Sequence, residues 1–162
     1  MSQSSSTIKN TFVELVEEPE KRFQKFVSFY CEVSFNPTYS IDKYIRSGRE
    51  LLRMGNIYFS EKDFFHAFVL YTRYMTLYLQ KIKSHPSYSS CDKTELNAIS
   101  KEIRLNILPR TEKLRNHIKD LFAKQAKEYE EKKKYQNKGN QDLSNVPTQP
   151  DINSLQAKYT QE

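Results

Sequence analysis

The sequence predicts an all-α protein: an elongated helical bundle built around a central αα-hairpin, with a long kinked C-terminal helix. Three observations predict it. Residues 44–82 carry two amphipathic patterns, each with the three-and-four spacing that puts side chains on one helix face, joined by a very short polar break. A further apolar stripe runs from Leu96 to Phe122 with the same period and one proline, Pro109, inside it. The composition, 37% hydrophobic and 28% charged with only three glycines in 162 residues, suits an elongated helical protein better than a compact α/β enzyme.

Taken in order, residues 1–17 read as a mobile N-terminal leader. They are Ser-rich to residue 7, with a short helical pattern at Ile8, Phe12, Val13 and Val16. Pro19 suits a first helical position, and Phe23, Phe26, Val27 and Tyr30 follow on one face, which predicts a helix of about three turns. Residues 34–39 form a linker around Asn36-Pro37, because the residue before a proline is pushed out of the helical region.

The hairpin starts at Ser40, a candidate cap, with Tyr39 and Tyr44 in staple positions. Tyr44, Gly48, Leu51, Leu52, Gly55 and Tyr58 define the inner face of its first helix. Phe64, Ala67, Phe68, Tyr71, Met75, Tyr78, Leu79 and Ile82 define that of the second. At the break, Ser60 and Asp63 are placed to cap each other, and Phe59 to pack on Phe64. Gly48 and Gly55 each cost about 1 kcal/mol in a helix interior relative to alanine. Their place on the packing face suggests a close approach of the second helix, with Ala67 opposite one of them. The spacing also fits a single tetratricopeptide unit, without a second copy. A lone unit cannot bury its own face, so the hairpin needs further helices.

After Ile82 the run H-P-S-Y-S-S-C breaks the chain, and Asp92 caps the next helix with Glu95 as box partner. Leu96, Ile99, Ile103, Ile107, Leu114, Ile118 and Leu121 carry its stripe, which Pro109 kinks or splits. Beyond Ala126 the pattern fades into E-Y-E-E-K-K-K-Y, a solvated helix end that ends the helical domain, 18–136. Residues 137–162 are polar, hold Pro147 and Pro150, and read as a disordered tail.

The net charge of +6 favours acidic partners, but acids are interspersed throughout, so nucleic acid is not the favoured one. Cys31 and Cys91, sixty positions apart with no secretory signal before them, point to a reducing compartment. No apolar run approaches the length of a membrane span. His66, His85 and His117 fall on different elements without the spacing of a metal site, and neither cysteine carries the signature of a catalytic thiol. No catalytic residues, metal or cofactor are therefore expected. Most of the eleven tyrosines and ten phenylalanines sit on the apolar stripes and read as core, not as a stacking platform for nucleic acid. What remains is a basic row, Arg46, Arg49 and Arg53, on the outer face of the first hairpin helix. Arg73 on the second helix is placed to flank the same groove. The row is either a solvated face paired with Glu50 or a docking surface for an acidic partner helix.

At the hairpin the sequence also carries a resemblance. The segments Y-I-R-S-G-R-E-L-L-R-M, N-I-Y, H-A-F-V-L-Y and H-P-S-Y, with the preceding helix, the F-N-P linker and Pro109, resemble the N-terminal domain of the AMSH (STAM-binding protein) and UBPY deubiquitinase families. The same domain type occurs in the yeast regulator of free ubiquitin chains. The resemblance covers about residues 22–134. It implies a bundle related to the microtubule-interacting and trafficking (MIT) fold, used for docking to endosomal sorting (ESCRT) subunits or for dimerisation.

AMSH-type catalysis needs a zinc metalloprotease domain downstream, which this sequence does not include, so zinc isopeptidase activity is not carried over. The resulting expectation is a non-catalytic adaptor or regulator of ubiquitin-dependent endosomal sorting. It would bind ESCRT subunits or a ubiquitin hydrolase, with a homodimer as one option; its domain layout, like that of the free-chain regulator, makes inhibition of deubiquitination one option, and the sequence leaves the direction of the effect open. Its expected location is the cytoplasm and the endosome, with peripheral membrane association through its partners. Two rivals stand beside it: a truncated AMSH-like pseudo-enzyme competing for ESCRT docking sites, and a basic helical nucleic-acid binder.

Overall fold

The computed structural model describes residues 15–143, and every one of its helices answers to a stripe or a stop signal in the sequence. Helix α1 is Pro19–Tyr30, α2 is Ile41–Ser60 and α3 is Phe64–Thr76. The chain continues from α3 through a wide helical turn, Leu77–Lys81, and tight turns at Ile82–Ser84 and Tyr88–Ser90. Helix α4, Lys93–Glu102, passes through a second wide turn, Ile103–Ile107, into α5, Leu108–Leu143. Two compact units divide after Ala126. The first is the bundle; in the second, the described residues continue α5, with the Lys133 ammonium 5.1 Å above the Tyr129 ring.

The proline at the first position of α1 has no hydrogen bond to lose there, as its missing N–H would be an orphan anyway. Phe23 and Phe26 are buried and meet Phe68 of α3 at ring-centroid distances of 5.9 and 6.1 Å, while Phe26 meets Phe122 of α5 edge-on at 6.3 Å. Three helices are thus joined through one aromatic cluster, where each buried ring contributes on the order of 1.5–3 kcal/mol.

The two hairpin glycines meet tyrosine rings and not Ala67. A Cβ on Gly48 would lie 2.3 Å from the Tyr78 ring, and one on Gly55 would lie 2.9 Å from that of Tyr71. Both rings are buried, and both hydroxyls are held: Tyr78 donates to the carbonyl of Ile45 at 2.8 Å and Tyr71 to Asn56 Oδ1 at 2.8 Å. Arg110 Nη1 adds a donor to the Tyr71 hydroxyl at 3.0 Å, and its guanidinium lies over Phe59, tying α5 to the hairpin. Each phenol pays for its burial with a hydrogen bond, which lets large amphipathic rings fill the core beside its isoleucines and leucines.

The turn between α2 and α3 is stopped by a different set of residues from those predicted. Ser60 donates to the carbonyl of Ile57 at 2.7 Å and is the last residue of α2. Asp63 is the cap of α3: its Oδ1 accepts the His66 N–H at 3.2 Å, and its Oδ2 lies 2.8 Å from His66 Nδ1. Between them Lys62 has φ = 61°. The N–H groups of Lys62 and Asp63 donate to the carbonyls of Phe59 and Tyr58, the paired bonds of a helix end that normally selects glycine. Phe59 and Phe64 do meet, at 6.5 Å.

Other local expectations are redistributed as well. Ser40 stands at the start of α2 but makes no side-chain cap bond. Tyr44 packs on Phe35 at 4.7 Å and donates to the carbonyl of Asn36, while Tyr39 remains half exposed under Lys43. The linker is held by this ring and by buried His85, whose Nε2 lies 2.8 Å from the carbonyl of Tyr39 and whose Nδ1 accepts the Ser87 N–H. That pattern fixes the neutral imidazole with its proton on Nε2.

Leu79 turns outward, because the wide turn at Leu77–Lys81 adds a residue to the repeat and buries Leu77 and Tyr78. The interruption expected at Pro109 takes the form of the wide turn just before it, where the Leu108 N–H reaches back to the carbonyl of Ile103. Ile103 and Ile107 both stay buried, and the hydroxyl of buried Thr111 donates to the carbonyl of Ile107 at 2.7 Å.

Residues 1–14, with most of the expected leader, and 144–162, with most of the expected tail, lie outside the described residues. Residues 15–17 form a turn, and α5 runs to Leu143, beyond the boundary expected at 136. The Lys, Glu and Gln residues of this stretch are good helix formers, and residues 131–139 sustain it while exposed.

Candidate functional site

The hairpin helices bury their inner faces on each other and leave a cleft along one side. On α2 the buried positions are Ile41, Tyr44, Ile45, Gly48 and Gly55. Leu51, Met54 and Tyr58 recur at a helical period but stay half-buried, as do Val69 and Leu70 of α3. Together they floor a cleft of about 550 Å³ whose rim carries Glu50 and Arg73. The end of α1 borders it through Tyr30. Leu51 and Tyr58, read from sequence as core, belong to this half-open wall. The signal that distinguishes them is the second stripe Leu51–Met54–Tyr58, running beside the glycine stripe.

The four arginines singled out by sequence have separate surroundings. Arg73 lines the cleft, and its Nε donates to the carbonyl of Tyr30 at 2.6 Å, placing a cation at the C-terminal end of α1 where the helix dipole favours one. Arg46, Arg49 and Arg53 are exposed and do not line the cleft. Arg49 is paired with Glu95 of α4, so Glu95 serves as a bridge between helices and not as the box partner of Asp92, whose Oδ1 accepts the Thr94 N–H at 2.9 Å. Arg53 is paired with Glu50 on the same helix, its Nε donating at 3.0 Å, and the guanidinium holds the Glu50 carboxyl below its ordinary range. Arg46 has no ion pair among the described residues.

Burial holds a thiol and two phenols of the bundle in their protonated forms. Burial pushes the Cys31 thiol up to about 11, partly offset by nearby Arg73, and the Tyr74 phenol up to about 12. The Tyr78 phenol is pushed higher still by burial. Both cysteines are free, and among the described residues no three His, Cys, Asp or Glu side chains converge as a metal site. No described helix is long and apolar enough to cross a membrane. The surface offers apolar clefts edged by charge, which is the equipment of a binding module.

Comparison with known proteins agrees with that class. The profile of the USP8 dimerisation domain matches residues 16–125, more than half of the chain and nearly coextensive with the bundle that ends at Ala126. The chain belongs to the USP8 dimerisation domain family. The AMSH-like protease of Mus musculus is 35% identical over 120 residues, covering 74% of this chain and 27% of that protein. The AMSH-like protease of Homo sapiens is 33% identical over the same shares, and the STAM-binding protein of Rattus norvegicus is 31% identical over 116 residues, 72% of this chain and 27% of that one. The chain therefore spans about a quarter of the length of these curated relatives. The resemblance read from the hairpin residues is the family the comparison finds.

Proposed function

We propose that the protein is a non-catalytic adaptor or regulator of ubiquitin-dependent endosomal sorting, binding ESCRT subunits or a ubiquitin hydrolase through its bundle. The observation that carries this reading is the family match to the whole bundle, a domain shared with AMSH-like proteases and STAM-binding proteins and described by its dimerisation. The bundle's exposed arginine row and its half-open cleft support a docking role: rim charges set on-rate and salt dependence, while apolar anchors supply affinity. Self-association is a second use of the same module, supported by the family description. Residence in the cytoplasm and at the endosome follows from such partners.

Two measurements test the reading together. Purified protein is mixed with a ubiquitin hydrolase and with endosomal sorting subunits in analytical ultracentrifugation, and ubiquitin-chain cleavage is followed with and without it. Expected are a complex with one of these partners and no cleavage by the protein alone. Cleavage of chains by the purified protein ends the non-catalytic reading. The triple variant Arg46→Glu, Arg49→Glu, Arg53→Glu, if folded, should weaken the complex at least several-fold, and unchanged affinity would show the row to be a solvated face.

A further inference from the structure

Along the edge where α1 meets α5, a separate pocket of about 350 Å³ is lined by Phe23, Gln24, Val27 and Ser28 of α1 and by Arg115 and Lys119 of α5. None of these residues lines the cleft of the hairpin. Buried Phe23 and half-buried Val27 make an apolar floor, and Gln24 and Ser28 stand exposed beside it. Lys119 reaches over that floor, its Nζ 5.0 Å from the centroid of the Phe23 ring and 3.3 Å from Glu20 Oε1. Arg115, one turn earlier on α5, is exposed and has no ion pair among the described residues. Its charge acts on the Cys31 thiol just past the end of α1, which places the guanidinium on that side of α5.

Residues four apart on a helix have Cβ atoms about 6 Å apart, so the two cations converge on one cup. A ligand that uses both must carry charge enough for two and oxygens that point several ways. A carboxylate has one charge and two oxygens in a plane, and a single guanidinium fork satisfies it. A phosphate monoester carries about −1.5 to −2 at neutral pH and presents three tetrahedral oxygens. It can accept from Arg115, Lys119 and the Gln24 amide together, and it competes for the ammonium with only the one exposed carboxylate of Glu20. The floor adds a second requirement. Phe23 and Val27 offer contact to a carbon stem, so the phosphate arrives on a side chain and not as a free ion. An anionic lipid surface is the poorer match, because Glu20 and Asp120, both exposed next to Lys119, would face its headgroups.

We propose that the pocket between α1 and α5 binds a phosphorylated side chain of a partner protein, its phosphate held by Arg115 and Lys119 and its stem lying on Val27 and the edge of Phe23. The site is separate from the arginine row, none of whose members lines it. Composition and motif do not reveal it, since Arg115 and Lys119 are two of 26 basic residues and α1 supplies the other half of the pocket.

The test is a nuclear magnetic resonance titration of the ¹⁵N-labelled full chain with capped Ala-X-Ala peptides, where X is phosphoserine, phosphotyrosine, glutamate or unmodified serine or tyrosine, and with inorganic phosphate. Saturable shifts confined to the amides around residues 23–28 and 115–119 are expected with a phosphopeptide, and the tighter of the two names the stem. The glutamate peptide should bind about tenfold more weakly, and the unmodified peptides should leave those amides in place. Arg115→Gln changes an exposed side chain and should weaken the phosphopeptide about tenfold or more, whereas Arg46→Gln should not change its affinity. Glu20→Gln releases Lys119 and should tighten binding several-fold, an opposite sign that a merely structural role would not produce. Absence of saturable shifts, equal binding of the glutamate peptide, or unchanged affinity in folded Arg115→Gln would overturn the proposal. So would an equal loss in Arg46→Gln, which would mark bulk charge, or inorganic phosphate binding as tightly as either phosphopeptide, which would mark a free-ion site. These readouts do not depend on the ubiquitin hydrolase or sorting subunits, so the two readings can fail separately.

Discussion

Tyr71 shows how much one side chain carries in this bundle. Its ring is fully buried against Gly55, its hydroxyl donates to Asn56, and Arg110 donates to it from α5. Tyr71→Ala should cost about 3–5 kcal/mol, a large part of a domain's net stability, whereas Tyr71→Phe removes the polar links alone and should cost about 1–2 kcal/mol. Urea denaturation of the two variants separates packing from the hydrogen bonds. At Gly48 two effects oppose: alanine gains about 1 kcal/mol of helix propensity but places a methyl group 2.3 Å from a ring whose hydroxyl is tethered to Ile45. Overpacking of this kind costs about 1–3 kcal/mol, and the buried ring has little room to retreat, so Gly48→Ala should lower the melting temperature.

The hairpin turn is where an element's sequence and its geometry part. The motif S-E-K-D offers two capping residues, and local rules favoured Ser60 because serine and aspartate are then spaced as a reciprocal pair. The chain instead keeps Ser60 as the last residue of α2, caps α3 with Asp63 and reverses through Lys62, in a left-handed conformation costing a residue with a Cβ about 1 kcal/mol or more. Replacing Lys62 by glycine should therefore raise stability by about 0.5–1 kcal/mol even though it touches no core atom; a thermal melt checks this, and a fall would contradict the account. The wide turns were equally beyond local reading. Their cause is the burial of Leu77 with Tyr78 and of Ile103 with Ile107, a tertiary demand that periodicity shows only as a slip of phase at Leu79. By contrast, Pro19, Asn36-Pro37 and the Asp92 cap are decided by backbone sterics and adjacent donors, and these were legible.

Across the whole bundle, burial of Cys31, Tyr74 and Tyr78 makes stability depend on alkaline pH. All three groups hold their protons to higher pH when folded than their ordinary values of 9.0 and 10.0. The unfolded chain then binds fewer protons than the folded one as pH rises, so stability present below about 9 is lost through 11 and 12. Melting temperatures should be level near neutrality and fall by at least ~5 °C between pH 8.5 and 10.5. A flat profile over that interval would mean that the rings and thiol reach solvent. At this scale the all-α class, the hairpin and the family were readable, because they rest on repeated apolar spacing and on contiguous segments. The surroundings of the arginines were not. Periodicity places Arg46, Arg49 and Arg53 on one arc but does not report that Glu95 arrives from α4 to engage the middle one, nor that Arg73 is spent on the end of α1. The pocket residues Arg115 and Lys119 were missed for the same reason, the side chains they face on α1 being remote along the chain.

The tyrosines laid over Gly48 and Gly55 have an optical consequence. The chain contains no tryptophan, so its near-ultraviolet emission comes from phenols, and Tyr71 and Tyr74 of α3 and Tyr78 of the wide turn that follows are buried in fixed, asymmetric surroundings. Near-ultraviolet circular dichroism of the free protein should thus report the hairpin core directly, vanishing with its packing while helical signal persists. At the red edge of tyrosine absorption the protein is dark. Any tryptophan emission excited there in a mixture belongs to the partner, whose docking can be followed on unlabelled material.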